Sequence, residues 1–458
     1  MVSQPALLTL VGPIGTRRTL LNETPSGSRT VTVFHLLSVL ICHRTNRKRA
    51  GRAGDYPAMR GDPSGTEERK LTALTDNMTF GTFMAPFHRV GENPTLALER
   101  DLELIEWMDD LGFDEAWVGE HHSGGWETIA SPEVFIATAA GRTRHIRFGT
   151  GVVSLPYHHP YMVANRMVLL DHLTRGRVML GVGPGALASD ANMFCIDPER
   201  QREMMDESLG VIMQLLDGSE PVTCETDWFK LKDATLQLRP YQKPSLPVAV
   251  ASVQSPSGVL LAGKHGASVI SLSVPRDSVR STSLKDQWAI AEETAEKHGK
   301  AVRREDWRLS VGCHVAETRE QAFEDIRVGA GRVVTEYTGG TNGNPIPDVP
   351  ANEIVDYMVE HNQWIVGTPD DVIAGIERLQ EASGGFGGLL LRAEDWAPRA
   401  ELHRSYELFA RYVMPRYQGS LTGIIDSQQR SASKKESLQA NRRAGLKRAT
   451  DSYLAGNR

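Results

Sequence analysis

The sequence predicts an α/β fold, a (β/α)8 barrel of the TIM type with a late insertion. Three observations carry this. From Met78 onward, short β-branched apolar runs alternate with helical periods. Most of these runs are apolar on both faces, as strands covered by helices must be. Eight near-even units also favour closure of the sheet over the competing doubly wound open arrangement.

The elements follow in order. "MTFGTFMAPF" (78–87) reads as the first strand. "PTLALERDLELIEWMDDLG" (94–112) puts Leu98, Leu102, Ile105 and Met108 on one helical face, and Gly112 supplies the stop. "EAWVGE" (115–120) is the second strand, and "SPEVFIATAAGRT" (131–143) opens a helix with Ser131 at the N-cap and Pro132 at its first position. "IRFGTGVVSLP" (146–156) is the third strand and "RVMLGVGPG" (177–185) the fourth, with helices near 160–173 and 198–217. "WFKLKDATLQLRP" (228–240) alternates as a small hairpin does. "PVAVAS" (247–252), "ASVISLS" (267–273) and "WRLSVGCHVAE" (307–317) continue the strands, each followed by a helix. An insertion of two helices (351–363 and 368–383) precedes the eighth strand, "FGGLLLRAED" (386–395), and the helix 399–414 closes the series.

Composition sets the outer bounds. With 458 residues, 40% hydrophobic and 24% charged, the chain has apolar material for a large core. A barrel can absorb about 250 to 400 residues as one unit. No stretch approaches the ~18 consecutive apolar residues of a membrane span. The net charge of −6 gives no sign of nucleic-acid binding. Cys42, Cys195, Cys224 and Cys313 never form a C-x-x-C pair, so a reduced, cytoplasmic protein is expected.

Residues 1–77 hold 11 Lys/Arg against 6 Asp/Glu, leaving 40 against 51 in the remainder. Rich in Gly, Ser, Thr and Arg, this stretch is expected to be a disordered extension or a misassigned upstream start, ahead of a barrel spanning 78–416. The tail 417–458 is basic, and reads as a loose helix lying on the barrel or on a partner subunit.

In such a barrel the active site lies at the C-terminal strand ends. Strand two arrives there with "GEHHSGGWE" (119–127). Adjacent strand residues point to opposite faces, so His121 and His122 cannot easily share one ion. "YHHP" (157–160) could supply further ligands, but no H-x-H or H-E-x-x-H spacing occurs, and no metal is expected. A histidine stacked in a polar layer and one with an acid/base or cofactor-contacting role both remain open. "GVGPG" (181–185), with Gly183 at its centre, lacks the spacing of a dinucleotide fingerprint. Ser252, Ser255 and Ser257 stand at a strand-to-helix junction, where free N–H groups attract an anion, or where they act only as N-caps. There is no G-x-S-x-G elbow, no P-loop and no lysine at an obvious strand end, so hydrolase and aldolase readings lose ground. One phosphate site, an apolar mouth and a histidine fit an enzyme whose cofactor supplies the difficult chemistry.

"GFDEAWVGEHH", "RTRHIRFGTGVVSLPYHHPYMVANRMVLLDHLTRGRVMLGVGPG" and "VGTPDDVIAGIERL" resemble the bacterial luciferase-like flavin monooxygenase family. "NPTLALERD", "GEHHS", "SLPYHHP" and "SYELFARYVMP" resemble its limonene monooxygenase branch in particular. The likeness covers roughly 78–416. It implies reduced flavin (FMN or FAD) received from a separate NAD(P)H:flavin reductase, oxygen transfer through a flavin C4a-hydroperoxide, and a homodimer. It gives His121 the position near the reacting flavin atom. It lays Thr150, Gly151 and Val152 along the flavin ring, with Gly151–Val152 matching a bond that is often cis in the family. The phosphate falls near the ends of strands four and five, at Gly183, Ser252 and Ser255. Some relatives carry an arginine after strand four, and "GVGPGAL" has none there.

The expected function is therefore a two-component flavin-dependent monooxygenase that oxygenates a small apolar substrate such as limonene, by 1,2-epoxidation. Phe83, Phe87 and Tyr157 would wall its pocket. An F420-dependent hydride-transfer oxidoreductase on the same fold is the alternative.

Overall fold

The computed structural model describes residues 77–85, 87–253, 255–271 and 282–456. The extension expected over 1–77 lies outside them except for Asn77, as do Leu272 and Ser273 of the sixth expected strand. Eight parallel strands close into a barrel: β1 Thr79–Met84, β2 Glu115–Val118, β3 Arg147–Thr150, β4 Val178–Gly183, β5 Val248–Ser252, β6 Ser268–Ser271, β7 Arg308–Val315 and β8 Gly388–Arg392. Each pairs with its neighbours in chain order. The ring is closed by β1 against β8, with Thr79 opposite Gly388, and by β6 against β7, with Ile270 opposite Arg308.

The helices are α1 Pro94–Leu111, α2 Pro132–Ala140, α3 Pro160–Thr174, α4 Ala188–Met193, α5 Gln201–Asp217, α6 Ser257–His265 and α7 Leu284–Lys297, then α8 Arg319–Arg332, α9 Ile354–Glu360, α10 Pro369–Ser383 and α11 Arg399–Tyr412. Local chemistry sets their ends. Asn93 Oδ1 accepts the N–H groups of Thr95 and Leu96 at the start of α1, and Gly112 ends it at φ 83°, where a side chain would be strained. Thr368 and Asp371 form a reciprocal capping box on α10. Ser131 occupies the N-cap position of α2, but its side chain makes no cap bond. The apolar stripe of α1, with Leu102, Ile105 and Met108, packs into the shell between helices and strands. Burying each such side chain contributes roughly 1.5–3 kcal/mol.

Inside the barrel a separate cluster joins Phe83, Trp117, Met179, Ala249, Ile270 and Leu390. Trp117 crosses the axis because Gly149 makes room: a Cβ there would lie 2.1 Å from the indole. Beneath it, Arg308 pairs with Glu115 at 2.6 Å, and the Trp117 Nε1–H donates to Glu115 at 2.9 Å.

The insertion holds more than two helices. The second half of β7, Gly312–Val315, leaves β8 and pairs with an added parallel strand, Trp364–Gly367. That four-residue run lies in the gap between the two expected helices, too short to show a period. Helix α8 also runs on into a π-helical turn, Val333–Thr341. A hairpin is present but starts earlier than the expected 228–240: Val222–Glu225 pairs with Lys230–Ala234, and 235–240 forms no strand. In the tail, α12 Thr422–Ser433 and α13 Lys435–Gly456 bury no residue, so they do not lie on the barrel of their own chain. Among the described residues no helix is long and apolar enough to cross a membrane.

Candidate active site

A cavity of about 430 Å³ opens at the C-terminal end of the barrel, within the size range of small-molecule pockets. Phe83, His121, Glu127, Gly151, Val152 and Tyr337 are among its walls. A second cavity, about 520 Å³, lies at the opposite end among the strand starts, away from the loops that carry chemistry in barrels.

His121 is held at both ring nitrogens. Nδ1 meets Asp190 Oδ2 at 3.2 Å, and Nε2 faces Glu127 Oε2 at 3.2 Å. Burial disfavours its charged form, but the Asp190 hydrogen bond and the charges of Glu127, Asp190 and Glu120 outweigh this and hold the imidazole above its ordinary range. Asp190 is the complement. Burial would raise it, yet the His121 and Ser123 hydrogen bonds hold it below the usual carboxylate range. Glu127 is pushed up, chiefly by burial, against the pull of His121. Its Oε1 accepts the Tyr337 hydroxyl, whose own pKa is driven far up by burial and by Glu127.

His121 and His122 lie past the end of β2 in a loop, and His122 turns elsewhere. Its Nε2 lies 2.8 Å from Glu120 Oε1, which also meets His158 Nε2 at 2.6 Å. Glu120 Oε2 accepts the Ser154 N–H at 2.8 Å. One ligating atom each of Glu120, His122 and His158 lie within 4.8 Å of one another, so the three could reach a single ion. As it stands, the carboxylate accepts from three protein groups, His122, His158 and the Ser154 N–H. Burial would raise Glu120, but the two histidine hydrogen bonds keep it low, and that of Glu120 holds His122 above its ordinary range.

The other expected residues divide into two groups. Phe83, Gly151 and Val152 line the cavity, and the Gly151–Val152 peptide is cis. Thr150, Gly183, Ser252, Phe87 and Tyr157 are not among its lining residues. Thr150 Oγ1 ties β3 to β4 through Gly181 O at 2.7 Å. Gly183 leaves space for Val152, whose Cγ2 would meet a Cβ at 2.5 Å. Ser252 is buried, with its hydroxyl on Gln287 at 3.4 Å. Phe87 packs edge-on against Tyr337 at 4.7 Å. Tyr157 stacks on Phe194 at 4.9 Å and reaches Gln201 at 3.3 Å, with burial first among the causes that push its phenol up to about 12.

Ser255 sits beside the N-terminus of α6, 2.9 Å from Ser257, and Ser257 accepts from Arg202 Nε at 3.3 Å. Arg202 of α5 thus stands beside the two hydroxyls. One guanidinium, two hydroxyls and a helix N-terminus suit a phosphate. Sequence reasoning missed Arg202, Asp190, Glu127 and Tyr337. Only Glu127 stands in the quoted "GEHHSGGWE" stretch.

The sequence profile of the luciferase-like monooxygenases matches residues 78–384. The chain is 51% identical to the 4-hydroxyprotoasukamycin monooxygenase of Streptomyces nodosus subsp. asukaensis, covering 77% of this chain and 95% of the relative. It is 46% identical to the limonene 1,2-monooxygenase of Rhodococcus erythropolis, covering 76% and 89%. Among solved structures, the oxygenating constituent of 3,6-diketocamphane monooxygenase from Pseudomonas putida, in complex with FMN, matches with a TM-score of 0.63 at 25% identity. That match covers 74% of this chain and 98% of the other.

Proposed function

The chain belongs to the luciferase-like monooxygenase family, and on that premise we propose that it uses reduced flavin and O2 to oxygenate a small apolar molecule. A separate NAD(P)H:flavin reductase delivers the flavin, and the enzyme acts in the cytoplasm as a homodimer. FMN is the favoured form, since the diketocamphane monooxygenase structure is a complex with it.

The observation that supports the reading is His121, fixed between Asp190 and Glu127 in the wall of the cavity and held above its ordinary range by them. The bound flavin would supply O2 activation and the reducing electrons. The chain supplies binding and proton control. Arg202, Ser255 and Ser257, at the start of α6, would hold the phosphate. Phe83, Gly151 and Val152 would flank the ring, with Thr150, Gly183 and Ser252 bracing their strands from behind. Both ring nitrogens of His121 face carboxylates, so its Nε2 proton would lie toward Glu127 at the cavity wall, and from that pair it would be passed on as charge develops on oxygen. Phe83, Ala85 and Leu187 give the same cavity an apolar share suited to a monocyclic terpene such as limonene, by 1,2-epoxidation.

The test supplies reduced FMN and 18O2 with limonene, related monocyclic terpenes and 4-hydroxyprotoasukamycin, and reads products by mass spectrometry. One labelled oxygen atom in a terpene product is expected. Arg202→Ala should weaken FMN binding by about tenfold, the effect of losing one charged hydrogen bond. Oxidation of reduced F420 under anaerobic conditions, with no label incorporated from O2, would replace this reading with the hydride-transfer alternative.

A further inference from the structure

We propose that Glu127 and Tyr337 form a positioning clamp on His121, tying the insertion between β7 and β8 to the reactive histidine. The inference rests on the role given to His121 above.

Three chain segments meet at the clamp. Glu127 comes from the loop after β2, and its backbone bridges antiparallel to Phe87 in the loop after β1. Tyr337 comes from the π-helical turn that ends α8, 210 residues further along. Such turns occur mostly as local departures from an α-helix, frequently at functional sites. The Tyr337 ring is wedged between Phe87 at 4.7 Å and Trp126 at 5.7 Å, which aims its hydroxyl at Glu127 Oε1. The other carboxylate oxygen faces His121 Nε2 at 3.2 Å. Asp190 alone would hold the ring at one nitrogen and leave it free to pivot. With Glu127 in place both nitrogens are specified, and with them the ring plane.

A buried carboxylate is costly to keep, and an apolar residue of similar size would serve packing better. What Glu127 adds is control of its neighbour. The charged or titratable groups facing His121 are Asp190 from α4, Glu127, and the adjacent Glu120 and His122. Those facing the clamp from other elements are Asp190, His88 (itself bonded to Asp101) and Glu394 after β8, beside Arg392. Of these, only Glu127 touches both His121 and the insertion.

The test follows His121 by histidine-selective 15N NMR titration of the flavin-free protein, assigned by the resonance lost in His121→Ala. Glu127→Gln removes the negative charge beside Nε2 and should lower the His121 midpoint by about one pH unit, the lower end of what one nearby opposite charge gives. Tyr337→Phe removes the hydroxyl that supports the carboxylate, and should lower the midpoint by less. Glu127→Asp should restore part of the shift. The pH profile of oxygenation should move in the same direction. A packing role alone would change thermal stability and leave the titration still. An unchanged midpoint in folded Glu127→Gln overturns the clamp, and if that variant does not fold, an unchanged midpoint in Tyr337→Phe does so. Unchanged turnover in His121→Ala would overturn the functional reading instead, so the two failures differ in which readout moves.

Discussion

The two ends of the barrel both bury charge, and they use it differently. At the base, Arg308 and Glu115 sit on strands facing each other at 2.6 Å, with Trp117 completing the carboxylate's bonds. Arg308 is raised further above its range: burial opposes the charge, and Glu115 more than restores it. A guanidinium so placed stays charged throughout the neutral range. At the mouth, His121, Asp190, Glu127 and Tyr337 come from a loop, a short helix and a π-helical turn, and the central group titrates nearest neutrality. Strands fix a permanent pair, while loops assemble a switchable one. Within one interior, backbone regularity thus separates charge that holds from charge that works.

The largest effect that would sharpen this contrast is His121→Ala. Oxygenation should fall by about 10²–10⁴-fold, the range for losing one general acid or base, with the fold intact by circular dichroism. A loss below threefold would mean that the mouth network is not the working end. Next is Arg308→Met, which strands Glu115 as an unpaired buried carboxylate. Urea denaturation should show a loss of about 3–5 kcal/mol, while the folded fraction keeps its turnover number. A variant as stable as its parent would erase the assigned difference between the ends.

The smallest effect is a pH dependence in Asp190→Asn. Asp190 is lowered in the fold, so its contribution is present above the unfolded carboxylate value and lost as pH falls through its folded value. His121 is raised, so its share is present below the unfolded histidine value and lost as pH rises through its folded value. The parent should therefore exceed the variant by about 1.5–3 kcal/mol between those limits, with the gap closing on both sides. Urea melts across the range measure it. A constant gap would show that the pair contributes shape and no charge.

The eight strands could be read ahead of the structure because burial on both faces leaves uninterrupted apolar runs, such as "VMLGVG" in β4. Trp364–Gly367 could not, since four residues between helices have no period to display. The same limit governs the site. His121 stood out because a histidine pair just past a strand end is unusual, while the turning of His122 toward Glu120 is set within a loop, where strand alternation does not reach. Asp190 lies 69 residues from His121 and Tyr337 lies 210 from Glu127, and no local spacing relates such partners. Arg202 was hidden for the same reason: it lies on α5, 55 residues from the Ser257 hydroxyl it reaches.

Trp117 has one more effect. Its indole fills the axis between the two cavities, lining the lower one and lying 3.2 Å, at its Cβ, from where a Gly151 side chain would begin in the upper one. Among the described residues the axis is therefore filled between the two cavities, and the upper one lies at the rim of loops. Under the proposed function, flavin and substrate would have to sit beneath that rim together, and the product would leave on the side its substrate entered.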